Sequence, residues 1–306
     1  MKILLDCDPG VDDMFAIFTA LRHADLVAVS TVAGNVGIEH TTNNALGILE
    51  LAGATDVPVH RGAATPLGAG ASEDAREVHG EAGLGGVELP APSMTVASND
   101  AVGALFDLTA RNDVTVVAVG PLTNIAHAIQ RDSTWVRRVP RLVIMGGSTN
   151  AGNATSYAEF NIWADPEAAK VVFDSGVALT MVGLNLTRQV TMGVGAIARM
   201  RSSGSPTGTV AANALDFYSD FALRHYGVKS SAMHDPCAVL EVVRPELFER
   251  QAMQVHVETL GEFTRGMTVC DQRPNAADPD TEVLIGAASE ELVELITVAA
   301  IDPHGS

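Results

Sequence analysis

The sequence predicts an open, mostly parallel α/β sheet of Rossmann-like type, with helices on both faces and a helical elaboration near its active site. Three observations carry this. Short β-branched apolar runs, bounded by Gly, Pro or Asn, recur along the chain. Between them lie segments whose apolar residues return at helical spacing. Strict alternation of this kind implies parallel strands joined by crossover helices that cover both faces. The 306 residues show no internal repeat and no linker of biased composition, so the expectation is a single domain, 1–306.

The elements follow in order. Ile3-Leu4-Leu5 marks the first strand, and DDMFAIFTALRHA the helix after it. LVAVSTVAG, VPVHRG, VTVVAVG, RLVIMGG and VALTMVGLNLT are the next strands. TTNNALGILELAG, SNDAVGALFDLTARN, LTNIAHAIQRD and DPEAAKVVFDSG are the helices between them. Residues 63–97, rich in Ala, Gly and Pro, are long for a connection, and such loops are often lids or binding loops. Residues 207–248 read as helical. MQVHVET, MTVCDQR and TEVLIG read as shorter, antiparallel strands, and SEELVELITVAAI as a closing helix.

Composition excludes several functions. The net charge is −18, and Lys2, Lys170 and Lys229 are the only lysines. No basic stripe exists to neutralise a phosphate backbone, so nucleic acid is not an expected partner. No apolar run reaches the roughly 18 residues of a membrane span, and no signal peptide is read at the N-terminus. Cys7, Cys237 and Cys270 are too few and too scattered for a disulfide framework, which fits a reducing, cytoplasmic location.

In open α/β sheets, sites lie beyond the carboxyl ends of the strands. The first strand leads into Asp6, Asp8, Asp12 and Asp13 within DCDPGVDD. Later strands lead to Asn35, Gly120-Pro121, the stretch bearing Asn153, Glu159 and Asn161, and Asn185. His234-Asp235-Pro236 opens another helix. Singly, each has a plain structural reading: acids at a helix N-terminus, turn residues, an N-cap. Glu159 and Asn161 flank Phe160 and would share a face at strand-like spacing. Together they gather acids and amides at one sheet edge without a Lys or Arg to pair them. A hard cation such as Ca²⁺ accounts for that, taking six to eight oxygen ligands. The amides suit the hydroxyls of a sugar.

DCDPGVDD, AGN, GPLTNIA, MGG followed by GNATSYAEFN, and HDPCA, in this order from residue 6 to residue 238, resemble the nucleoside hydrolases of inosine-uridine type. The resemblance implies calcium-dependent hydrolysis of the N-glycosidic bond of ribonucleosides, releasing ribose and a purine or pyrimidine base. It implies Asp8, Asp13, Asp235 and the Val119 carbonyl as calcium ligands, with Asp8 also the general base on a metal-bound water. Asp12, Asn35, Asn153, Glu159, Asn161 and Asp235 would hold the ribose, with Met145 beside it. His234 would stand near the departing base as a catalytic residue, and His79 would reach it from a mobile loop. Tyr218 could stack on the base. Members accepting inosine as well as uridine carry a second tyrosine one turn later, where Ala222 stands here; Phe221 and Tyr226 are nearby. The resemblance also implies a homo-oligomer, dimer or tetramer. Asp6 is left without a direct role and is expected to support its neighbours from behind.

Two other classes stay open. A phosphotransferase with DxD after its first strand would need a lysine for the phosphoryl group, and none of the three is well placed. A non-catalytic ribose- or nucleoside-binding protein could use the same amides, although the duplicated acids weigh against it. Within the same fold, another N-riboside could be the substrate.

Overall fold

The computed structural model describes residues 1–68, 74–111, 113–273 and 279–305. Twelve strands are present among them: β1 (Lys2–Cys7), β2 (Asp25–Thr31), β3 (Val59–Arg61), β4 (Val114–Ala118), β5 (Leu142–Met145), β6 (Leu179–Val182), β7 (Thr191–Gly193), β8 (Ser230–Ala232), β9 (Phe248–Met253), β10 (Val255–Val257), β11 (Thr268–Cys270) and β12 (Thr281–Ala287). Eight form one sheet in the order β3-β2-β1-β4-β5-β6-β12-β9. All neighbours in it are parallel except β12 and β9. The chain builds outward from β1 in one direction through β2 and β3, then in the other through β4, β5 and β6. The order therefore reverses beside β1, which opens a crevice at the strands' carboxyl ends.

Helices pack on both faces, as the alternation requires. One core collects Ile3, Leu5, Phe15, Phe18, Ile48, Val117 and Leu240; the other collects Leu4, Val116, Ile125, Trp135, Ile144 and Val172. Alternate residues of β1 thus serve opposite faces, because side chains alternate along a strand. Trp135 satisfies its buried indole N–H on Thr109 Oγ1 at 3.0 Å.

The predicted strands and helices are found, with several differences. Residues 207–248, read as helical, also hold β8 between the helices Pro206–Tyr226 and Asp235–Val243, and β7 and most of β9 lie outside the predicted runs. The run VALTMVGLNLT is a strand only over Leu179–Val182; Leu184–Thr187 turns into a short helix. TEVLIG pairs parallel with β6 as well as antiparallel with β9. Glu159 and Asn161 are not on a strand: Glu159 is the N-cap of the helix Phe160–Ala164, its carboxylate accepting from the Asn161 and Ile162 amides. Residues 69–73 of the long connection and the Tyr226 side chain lie outside the described residues. Elsewhere in that connection Arg76–His79 forms a short helix. No described helix is long and apolar enough to cross a membrane.

Candidate active site

The first βα turn sets the geometry. After β1 the chain passes Asp8-Pro9-Gly10 and enters the helix Val11–His23, so Asp12 and Asp13 fall in its first turn, where the dipole favours negative charge. Asp13 folds back as a cap, accepting from the Gly10 amide at 2.8 Å and the Asp8 amide at 3.1 Å. Asn35, arriving from β2, braces the turn. Its backbone N–H donates to Asp8 Oδ2 at 2.7 Å, and its side-chain amide donates to the Asp8 carbonyl and Asp13 Oδ2, both at 3.1 Å.

Two glycines make room for the Asp8 carboxylate. A Cβ on Gly34 would lie 2.1 Å from Asp8 Oδ2, and one on Gly120 would lie 2.7 Å from Oδ1. The AGN and VGP stretches at the ends of β2 and β4 therefore hold this side chain between bare backbones.

The other strands bring their own groups. Asn161 donates to the Val119 carbonyl at 2.8 Å and the Met145 carbonyl at 3.1 Å, tying β4 to β5 at the crevice. Glu159 accepts from the Gly147 amide at 2.9 Å, and Asn153 Oδ1 accepts from the Phe160 amide at 2.9 Å. Asp235 is the first residue of the helix Asp235–Val243, with His234 as its N-cap. The His234 ring pairs through Nδ1 with Thr187 Oγ1 at 2.7 Å.

A cavity of about 690 Å³ opens over these groups. Every predicted site residue lines it except Asp13: Asp8, Asp12, Asn35, His79, Val119, Met145, Asn153, Glu159, Asn161, Tyr218, His234 and Asp235. Asp13 lies just behind, fully buried. Asp6 is also buried behind the site; its Oδ1 accepts from Ser30 Oγ and from Asn124 Nδ2 at 2.8 Å, while Oδ2 has no partner. Asn185 stands apart, its amide spent on the Thr149 N–H and the Leu284 carbonyl.

The cavity has two kinds of wall. Its floor is the sheet rim just described. Its far end comes from segments outside the sheet: the helix Arg76–His79 and the helix Pro206–Tyr226, which supplies Tyr218, Phe221 and Ala222. His79 spans the two, accepting from the Val11 amide through Nδ1 at 3.1 Å, with its ring 5.4 Å from that of Tyr218. Sequence motifs gave no sign of Trp163 or Arg188, which also line the cavity. Arg188 donates to the carbonyls of Ala151 and Gly152 at 3.1 and 2.6 Å, holding the loop that carries Asn153.

The electrostatics favour a cation. Burial pushes Asp6 up to about 6; burial with the charge of Asp13 pushes Asp12 up to about 8. Burial raises Asp13 to about 6 and Glu159 to about 7. Asp8 and Asp235 are driven well above the carboxylate range by burial and then by neighbouring carboxylates. Oxygens of Asp12, Asp13 and Asp235 all lie within 4.8 Å of one another. No described ion pair brings a lysine or arginine to these groups; the nearest such contact is His79 at 4.0 Å from Asp12. Burial holds His79 down at about 3, so its ring is neutral and adds no positive charge. Converging buried oxygens of this kind fit a hard divalent cation. The resemblance gives Asp8 a place beside Asp13 and Asp235; the closest convergence in the structure is made by Asp12 with those two, and Asp8 faces the same cavity.

The linkage has a definite sign. In cation-free protein these folded-state carboxyls keep protons that the unfolded chain has released above pH ~4. Their contribution to stability is thus present below pH ~4 and lost as pH rises towards ~8. The melting temperature of chelated protein is expected to fall between about pH 5 and pH 8 relative to protein saturated with a divalent cation. Thermal denaturation in both states checks this; a gap between the two that stays constant with pH contradicts it.

Comparison with known proteins agrees with this geometry. Residues 3–294 match the family model described as inosine-uridine preferring nucleoside hydrolase. A pyrimidine-specific ribonucleoside hydrolase of Shewanella oneidensis is 41% identical, covering 98% of this chain and 97% of the relative. One from Escherichia coli O7:K1 is 39% identical, covering 95% and 98%. Among solved structures, a purine-preferring ribonucleoside hydrolase from Gardnerella vaginalis superposes with a TM-score of 0.94 at 30% identity, covering 100% of this chain and 99% of that one. A plant nucleoside hydrolase gives 0.89 at 32%, covering 98% of each. With its crevice of carboxylates and amides at the sheet's point of reversal, the chain belongs to the inosine-uridine preferring nucleoside hydrolase family and is an enzyme that hydrolyses ribonucleosides.

Proposed function

We propose that this protein is a calcium-dependent hydrolase of pyrimidine ribonucleosides. The observation that carries the reading is the single cavity in which the acids and amides from the ends of β1, β2, β4 and β5 meet Asp235. The runs of acids and amides along it match a ribose, whose hydroxyls both donate and accept.

Asp12, Asn35, Asn153, Glu159, Asn161 and Asp235 hold the ribose hydroxyls, with Met145 against the sugar. Asp8, Asp13, Asp235 and the Val119 carbonyl are the residues that would hold the cation. When bound, calcium would neutralise the crowded carboxylates and acidify and orient a water. Asp8 takes the proton of the attacking water, as a carboxylate beside the reacting atom can. Breaking the N-glycosidic bond builds positive charge on the ribose, and the surrounding carboxylates stabilise it where it develops.

The far end favours a pyrimidine. Tyr218 offers an aromatic face, and Ala222, one turn on, brings no second tyrosine, although Phe221 also lines this end. The curated relatives at about 40% identity are named pyrimidine-specific, whereas the Gardnerella protein at 30% is named purine-preferring. We further propose one domain over residues 1–306, a cytoplasmic location and a homo-oligomeric assembly, the last checked by light scattering.

A panel of cytidine, uridine, adenosine, inosine and guanosine with detection of free base tests the reading. Cytidine and uridine are expected to exceed the purine nucleosides in kcat/KM by about tenfold or more. Chelation is expected to remove turnover and added calcium to restore it. Purine nucleosides cleaved as well as pyrimidines would overturn the base preference. Full activity after exhaustive chelation would overturn the metal requirement.

A further inference from the structure

The Thr187 hydroxyl is fully buried at the end of the short helix Leu184–Thr187 and does not line the cavity. Its one described hydrogen-bond partner is His234 Nδ1, at 2.7 Å. A buried hydroxyl has a proton to place, and leaving it unpaired is costly. The partner available for that proton is the lone pair on Nδ1. His234 must then carry its own proton on Nε2. That nitrogen takes no described protein hydrogen bond, is not among the buried unpaired atoms, and belongs to a ring that lines the cavity.

We propose that Thr187 is a positioning residue that fixes His234 as a neutral imidazole with its Nε2–H directed to the departing base. The inference rests on the nucleoside-hydrolase reading of this cavity. As the C1′–N bond breaks, its electron pair moves onto the base, and the Nε2–H donates a hydrogen bond to that developing charge. The proton stays on His234, and the base leaves as its anion and takes a proton from solvent. A neutral imidazole can serve as such a donor without becoming charged. The nearly isosteric Thr187→Val removes the hydroxyl, leaves Nδ1 without a donor and frees the ring to place its proton on either nitrogen.

The test compares two leaving groups. Uridine needs its departing base stabilised, whereas p-nitrophenyl β-D-ribofuranoside releases a phenolate stable enough to leave unaided. Thr187→Val is expected to lower kcat for uridine by roughly ten- to a hundredfold with little change in KM, and to change nitrophenyl riboside hydrolysis by less than about twofold. Thr187→Ser should restore most of the uridine rate. Adding Thr187→Val to His234→Ala should cost nothing further, because the two act through one donor. Equal loss on both substrates would mean that Thr187 merely supports the fold, and overturns the proposal. So would unchanged uridine turnover in Thr187→Val. Wild-type protein inert on every nucleoside would instead sink the reading on which the inference rests.

Discussion

Replacing Asp8 by alanine is expected to lower kcat/KM for ribonucleosides by on the order of 10³- to 10⁴-fold. The size follows from two losses at one atom pair: a base for the attacking water and an oxygen ligand for the cation. In the proposed arrangement no neighbour is placed to substitute. Asp8 Oδ2 is aligned by the Asn35 amide at 2.7 Å, and bare backbone at Gly34 and Gly120 closes around the carboxylate. Asp12 belongs to the sugar side in the proposed arrangement, and Asp13 is held by the amides of Asp8 and Gly10. Asp8→Asn separates chemistry from packing, since it keeps the shape and can still accept from Asn35. It should lose turnover to a similar degree while melting close to the wild type. Steady-state kinetics beside thermal denaturation provides the check. Either variant retaining near-wild-type kcat would remove Asp8 from both roles.

The second large effect concerns the substrate. 2′-Deoxynucleosides are expected to show kcat/KM lower than the ribonucleosides by on the order of 10⁴-fold. A site built to hydrogen-bond a hydroxyl rejects the analogue lacking it, because its own buried polar atoms are then left unpaired. Here the proposed ribose-holding residues are almost wholly buried around the cavity: Asp12 is 4% exposed, Glu159 3% and Asn161 5%. Asn161 in addition ties the carbonyls of Val119 and Met145, so the hydroxyl-binding groups are fixed rather than free to turn to water. Paired measurements on uridine and 2′-deoxyuridine decide the matter. Equal specificity constants would mean that the carboxylates do not grip the 2′-hydroxyl.

Much of this was legible in the sequence because two strong signals coincide. Parallel strands buried on both faces are short, continuous apolar runs, and β1, β2, β4, β5 and β6 announce themselves that way. The point where their order reverses explains why motifs hundreds of residues apart share a cavity. β9 was hidden because it lies at the sheet edge: only Phe248 and Met253 are buried, and the four residues between them are exposed. The helix that presents Asn161 was hidden by an unusual cap. Glu159 spends its carboxylate on amides two and three residues on, so a pattern resembling a strand turns helical. Arg188 carried no motif, since its task is to hold carbonyls of a loop remote in sequence. Thr187 gave no signal either, for a hydroxyl's value lies wholly in which ring nitrogen it meets.

The two kinds of wall around the cavity divide the labour of evolution as well as that of binding. In the proposed arrangement most of the sugar-side groups follow strand ends of the central sheet, and Asp235 joins them from the helix Asp235–Val243. The base end hangs on the helix Pro206–Tyr226 and the loop bearing His79, neither of which belongs to the central sheet. Under the proposed assignment, substitutions in those two segments are expected to change base preference while the sugar-side groups stay in place. A chimaera carrying residues 206–226 from a purine-preferring relative would change diet without relearning the reaction.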